Sequence, residues 1–259
     1  MSYVFNLPFR ENKKLIHIIN EVKKDVKLQT LWKCSNVMAI DRMGYTDHGP
    51  THVKIVANSA LRLLRILVER KVVPSIVKHY DMKNEDAEVV VVLGSIFHDL
   101  GMTVIRAGHE VYGTLLALEF IEKYLQPIYS EQECTIICSE VLHIIVSHEQ
   151  PNNPLTLEAG IVRVADALDM EEGRARIPFQ AGKVEIHSVS ALSIEKVEIQ
   201  EGEKKPIRIK ITMSNSAGVF QIDELLKPRI ENSGIQDYIY VVAEITGERE
   251  RKIIEKFEL

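Results

Sequence analysis

The sequence predicts a mainly α protein: a helical bundle followed by a small α+β module at the C-terminus. Three observations carry this. Apolar residues recur at helical spacing through the first 180 residues. Glycine and proline punctuate the periodic segments. Beyond residue 180 the apolar period changes from helical to two.

Residues 11–40 carry Leu15, Ile18, Ile19 and Val22 on one face and predict two helices. A long helix follows over 50–70, with Val56, Ala60, Leu63, Leu64 and Leu67 as its apolar stripe. A short helix is expected over 75–80. Further helices are expected over 84–100, 108–125, 130–148 and 156–170, separated by Gly101, Gly108 and the Pro151/Pro154 pair. KVEIH (183–187) and IRIKITM (207–213) alternate as strands with one buried face do. ALSIEKVEI (191–199) and YIYVVAEI (238–245) are further strand candidates, and VFQIDELL (219–226) reads as a helix ended or kinked by Pro228. The expected division is an all-helical domain over 1–180 and a small α+β module over 181–259, suited to dimerisation or regulation.

The 259 residues are 46% hydrophobic and 27% charged, an ordinary soluble composition. A net charge of −5 gives no reason to expect a nucleic-acid surface. No apolar run approaches the roughly 20 residues needed to span a bilayer. The longest, VVVVLGSIF (89–97), has the length of a core helix. The N-terminal stretch lacks a charged-then-apolar signal pattern, so a cytoplasmic protein with no membrane partner is expected. Cys34, Cys134 and Cys138 are odd in number and lack CxxC spacing, against a disulfide framework or zinc ribbon.

Five polar segments interrupt the apolar helices: YTDHGPTHVKIVA (45–57), FHDLG (97–101), GHEVYG (108–113), HIIVSHEQ (143–150) and VRVADALDM (162–170). His52 lies on the stripe of 56, 60, 63 and 67, and Asp166 on that of Ala159 and Val162. An unpaired carboxylate on a buried face is costly, so it must be neutral, hydrogen-bonded, ion-paired or metal-bound. His98 and Asp99 end a strongly apolar helix, where both side chains can converge on one ion. Imidazole with carboxylate suits zinc, iron, manganese or nickel rather than calcium. Any one histidine on an apolar face is more often an ordinary core residue; the ordered combination is what points to a metal.

With H…HD…D on a helical core, the chain resembles the HD superfamily of metal-dependent phosphohydrolases. HVKIVA (52–57), SIFHDLGM (95–102) and VRVADALDM (162–170) carry the resemblance, which covers roughly residues 45–172. It implies a first divalent metal held by His52, His98, Asp99 and Asp166. It further implies that Asp99 bridges to a second ion held by His109 and His148, with His143 a weaker candidate. The metal's identity stays open among Mn, Fe, Ni, Zn and Mg, as does occupancy by one ion or two. The catalytic residues implied are His48 and Asp99.

His48 and His52 are four apart, the spacing of a shared helix face. Pro50 suits the first helical position, which places His48 outside the helix and sets aside a zincin-like pair. In the related cyclic-nucleotide phosphodiesterases a histidine at this offset, preceded by a tyrosine like Tyr45, is the general acid. In HD-GYP proteins the offset carries a glutamate that can bind metal, although no GYP tripeptide follows SHEQ here. Acid or substrate contact, metal ligand and structural histidine all stay open, and Asp47 is a candidate to orient the His48 ring. Arg106, Arg174 and Arg176 are candidate phosphate contacts, because the guanidinium fork pairs two oxygens. Each is equally readable as a solvated surface arginine. Asp169, one turn from Asp166, is a candidate support for the ligands.

The expected function is a hydrolase acting on phosphate esters, with a nucleotide or related small phosphate ester as substrate partner and a homodimer as a further option. A cyclic-nucleotide-type phosphodiesterase, a di-iron oxygenase and a ligand-binding regulatory protein are the alternatives.

Overall fold

The computed structural model describes residues 7–8, 11–171, 190–246 and 256–258. The KVEIH strand expected at 183–187, and both Arg174 and Arg176, lie outside the described residues. Helix α1 (Lys13–Lys24) starts where the Asn12 side chain accepts from the Leu15 N–H, and it buries Leu15, Ile18, Ile19 and Val22. Asp25 caps α2 (Val26–Asn36) in the same way through the Leu28 N–H. The chain then widens into a π-helical turn, Val37–Arg42, which the apolar spacing does not announce.

Helix α3 (Pro50–Glu69) begins at Pro50, with Gly49 as its cap residue. Its buried stripe runs from His52 through Val56, Ala60, Leu63 and Leu67. After the short α4 (Ser75–Tyr80) comes α5 (Asn84–Phe97), the central helix of the bundle. Val89, Val90, Val91, Val92, Leu93, Ile96 and Phe97 are all fully buried in it. Helices α3, α7 (Glu131–Ser147) and α8 (Leu157–Ala167) pack around it. Burying each such aliphatic side chain contributes about 1.5–3 kcal/mol, which makes α5 the frame on which the bundle is held.

A 3₁₀ turn, Leu100–Thr103, follows α5 and meets the start of α6 (His109–Leu125). Gly101 makes that meeting possible: a Cβ there would lie 1.8 Å from the His109 carbonyl oxygen and 2.6 Å from the Gly113 nitrogen. Both are backbone atoms and cannot swing aside as a side chain would.

The C-terminal region forms a four-stranded sheet in the order β1-β2-β3-β4. Strand β1 (Ile194–Glu201) runs antiparallel to β2 (Ile207–Met213), with Ile199 opposite Ile209. Strand β3 (Ile239–Ile245) runs parallel to β2, with Val241 opposite Ile209, and β4 (Lys256–Glu258) pairs antiparallel to β3. Ile207, Ile209, Ile211 and Met213 are buried, as the alternation in IRIKITM requires. A parallel pair needs a crossover, and here it is helical: α9 (Val219–Gln221), a π turn (Ile222–Leu226) and α10 (Lys227–Glu231). Pro228 does not end this path: it sits in the first turn of α10, where its missing N–H costs no helical hydrogen bond. The sheet packs through β1 and β2 on α3, and α10 packs on α8. The chain is thus mainly α, and "all-α" describes only the part up to α8. No helix among the described residues is long and apolar enough to cross a membrane.

Gly101→Ala is expected to destabilise the fold by about 2 kcal/mol or more, because overpacking against backbone forces α6 off the turn. A thermal melt that matches wild type within a degree would refute this account of the α5–α6 junction.

Candidate metal centre

Six side chains from five helices converge at one end of the bundle. His52 comes from the first turn of α3, His98 and Asp99 from the turn after α5, and His109 from the first residue of α6. His148 caps the C-terminus of α7, and Asp166 sits in the last turn of α8. The four histidines are each 2% exposed or less, and Asp99 is also buried.

They form two groups able to hold a cation: His52, His98 and Asp166, and Asp99, His109 and His148. In the first, the Nε2 atoms of His52 and His98 are 3.1 Å apart. Asp166 Oδ1 lies 3.3 Å from His52 Nε2 and 3.7 Å from His98 Nε2. Asp99 Oδ2 joins this group at 3.3 Å from His52 and 3.2 Å from His98. Asp99 turns its other oxygen, Oδ1, to the second group, 3.2 Å from His109 Nε2 and 3.6 Å from His148 Nε2. Those two nitrogens are themselves 3.1 Å apart.

Donor atoms about 2.1 Å from one ion lie about 3.0–3.4 Å from one another in octahedral or tetrahedral geometry. Six of the eight spacings fall in that range, and Asp166–His98 and Asp99–His148 are slightly longer at 3.7 and 3.6 Å. The surroundings of the ring nitrogens agree as well. Each Nδ1 faces an acceptor: Asp169 Oδ2 at 2.6 Å for His52, the Ser95 carbonyl at 2.9 Å for His98, the Arg106 carbonyl at 2.9 Å for His109 and the Ile145 carbonyl at 2.7 Å for His148. A neutral imidazole with Nδ1–H donating outward turns its Nε2 lone pair inward. Two lone pairs 3.1 Å apart repel unless a proton or a metal cation lies between them. Such outward hydrogen bonds are the usual support of metal-binding histidines.

Electrostatics follow from this. Burial works against the ionised form of Asp99, but the charges on His98 and His48 and the hydrogen bonds of His109 and His148 outweigh it and hold its pKa well below the usual carboxylate range. Burial likewise opposes ionisation of Asp166, and its His52 and His98 hydrogen bonds overcome that. Burial pushes His98 down, yet the Asp99 and Asp166 carboxylates prevail and raise its pKa to about 9. His148 moves down, with burial as the main cause.

The residues around the two groups differ from simple expectation in three places and agree with it in a fourth. His48 lies in the loop before α3, its Nδ1 2.8 Å from the Thr46 carbonyl and its ring centroid 5.8 Å from that of His52. Thr46, not Asp47, therefore orients its ring; Asp47 accepts from the Gly49 N–H and from Asn36. His143 lies outside both groups, with its Nε2 accepting from the Leu155 N–H, because five residues of helix turn it away from His148. Arg106 does lie beside His109, but its fork is closed on Glu149 by contacts of 2.7 and 2.8 Å. Burial opposes ionisation of Glu149, and the Arg106 pairing outweighs it and lowers its pKa. Asp169 supports His52, as its one-turn spacing from Asp166 suggests.

Arg229, on α10, was not foreseen. Its Nη1 donates to the His148 carbonyl and lies 3.5 Å from Asp166 Oδ2, and its Nη2 lies 3.4 Å from Glu149 Oε1. Glu149 follows directly on His148 in SHEQ and carries a local signal, whereas Arg229 stands some 80 positions downstream with none.

Two predictions follow from the ligand geometry. Asp169→Asn is expected to lower metal affinity about 10–100-fold while leaving the fold intact, read by manganese titration. In metal-free protein His98 has a folded pKa of about 9 against an ordinary 6.5. Its stabilisation is therefore full below pH 6.5 and lost as pH rises through 9. A bound cation takes the place of that proton, so the Tm gap between manganese-loaded and metal-free protein should widen from pH 6.5 to 9. A gap that narrows with pH would exclude this balance.

Comparison with known proteins agrees with the geometry. The HD domain family model matches residues 51–171, a span that holds all six clustered residues but neither His48 nor Arg229. The uncharacterized protein MJ1020 of Methanocaldococcus jannaschii is 45% identical over 242 residues, covering 93% of each chain. No solved structure matches significantly. The order of ligand types along the chain, their convergence at one end of a helical bundle and the family match over residues 51–171 lead to one conclusion: the chain belongs to the HD-domain family.

Proposed function

We propose that the chain is a metal-dependent phosphohydrolase acting on a small phosphate ester of the nucleotide class. The observation that most supports this is the Asp99 carboxylate, which offers Oδ2 to one histidine pair and Oδ1 to the other. Such an arrangement suits two divalent ions sharing one carboxylate. Imidazole and carboxylate donors fit manganese, iron, zinc or nickel. When bound, a pair of such ions supplies an activated water and neutralises phosphoryl charge.

The chain's own residues divide the remaining work. The second group has three protein donors against four in the first, which leaves an ion there more coordination positions for water or substrate oxygen. His48 stands in the loop beside His52, close enough for its charge to act on Asp99. Its Nδ1 contact with the Thr46 carbonyl favours Nε2 as the nitrogen that delivers a proton. In that position it serves as general acid to the leaving oxygen, a role worth about 10²–10⁴-fold. Burial of the histidines keeps bulk water from the ligand atoms and strengthens every charge interaction among them.

The test is a panel of phosphate monoesters and diesters offered to manganese-reconstituted protein. His98→Ala and Asp99→Ala are expected to abolish turnover. His48→Ala should retain metal and lose about 10²–10⁴-fold on alkyl esters, and much less on esters of p-nitrophenol, whose leaving group needs no proton. If no ester is turned over and the iron-loaded protein consumes oxygen, the reading gives way to oxygenase chemistry.

A further inference from the structure

We propose that Arg229, carried by the C-terminal module, is the arginine that binds the substrate's phosphoryl group. This rests on the phosphohydrolase reading and assigns part of its substrate site. The guanidinium touches one member of each ligand group: Nη1 donates to the backbone carbonyl of His148 and lies 3.5 Å from Asp166 Oδ2, the partner of the Oδ1 that meets His52 and His98. A phosphoryl oxygen seated at this edge of the cluster would meet the guanidinium.

The quality of its contacts separates it from Arg106. Arg106 is the more exposed, with 37% of its side chain accessible, but both of its Nη groups are closed on Glu149 at 2.7 and 2.8 Å. Arg229 gives one Nη1 N–H to the His148 carbonyl but meets carboxylates only at 3.4 and 3.5 Å, and 23% of its side chain is accessible. A short, bidentate Arg–carboxylate pair is strong and directional, whereas contacts at these longer distances leave N–H capacity for a better acceptor. A phosphoryl group, with its planar-fork match to arginine, is such an acceptor.

The fold holds Arg229 in place through the same helix that presents Asp166. Gly160, Arg163 and Asp166 recur every three residues along α8. At Gly160 the helix approaches the turn after α10 so closely that a Cβ would lie 2.2 Å from the Ser233 carbonyl oxygen. Arg163, fully buried, donates to the Asn232 carbonyl at 3.3 Å, at the C-terminal end of α10, and to the Asn152 carbonyl at 3.0 Å. One face of α8 thus docks α10 at one end and offers a ligand at the other. Module docking and the substrate site are built on a single rigid element.

The experiment titrates inorganic phosphate into full-length, manganese-loaded protein by calorimetry, with manganese content measured in every sample. Wild type is expected to bind phosphate. Arg229→Ala should weaken it about tenfold to a hundredfold at unchanged manganese content, in keeping with a lost charge-assisted hydrogen bond. Arg229→Lys keeps a cation near the His148 carbonyl and guards against loss of the fold; lacking the fork, it should weaken binding to a smaller degree. With a turned-over ester, KM should rise far more than kcat falls. Phosphate affinity equal to wild type in either folded variant overturns the proposal. So does loss of manganese in parallel with phosphate, which would make Arg229 a positioning residue for Asp166. Absence of phosphate binding by manganese-loaded wild type would instead remove the phosphohydrolase reading itself, and this assignment with it.

Discussion

The Asp99 carboxylate must face two histidine pairs at once, and the helical packing is arranged around that requirement. Asp99 is buried and ionised, a state that is stable only when every lone pair meets a positive partner. The partners come from α3, α5, α6 and α7, so each helix must end or begin at the same point in space. The fully buried core of α5 supplies the energy that holds them there. Gly101 supplies the clearance that lets the start of α6 reach the turn bearing Asp99.

Around the ligand atoms a second ring of contacts sets orientation. Asp169, three backbone carbonyls and the Arg106–Glu149 pair each hold one side of a ligand or its neighbour. Most of these carbonyls belong to helix ends, where they have no partner within the helix and are free to accept. The ring closes through Arg229, which joins Asp166 to Glu149 across the end of α7. A region that the family match does not include therefore touches the heart of the matched one. That contact gives the C-terminal sheet and its crossover helix a physical connection to the chemistry, beyond simple packing on α3.

Much of the fold was legible in the residue pattern. The helices at 50–69 and 75–80 and the strand at 207–213 follow the apolar spacing almost residue for residue. The start of α3 at Pro50 separated His48 from His52, as proline at a first helical position should. The π turns at 37–42 and 222–226 and the strand at 256–258 were not legible. A π turn shifts the hydrogen-bond partner by one residue without changing which side chains are apolar. A three-residue strand has too few positions to show an alternation. His143 and Arg106 show the limit for site residues: proximity in sequence to a ligand does not say whether the side chain faces the ligand or a competing partner such as Leu155 or Glu149.

By itself the sequence determined the helical frame, the chemical types of the ligands and their order along the chain. It could do so because period and residue type are local properties that burial costs impose at each position. Only the tertiary structure decided which atoms meet: that Asp99 is shared through its two oxygens, that Thr46 rather than Asp47 turns His48, and that Arg229 arrives from 63 positions beyond Asp166. Those contacts join segments far apart along the chain, and their geometry is set by the packing of whole helices rather than by any local run of residues.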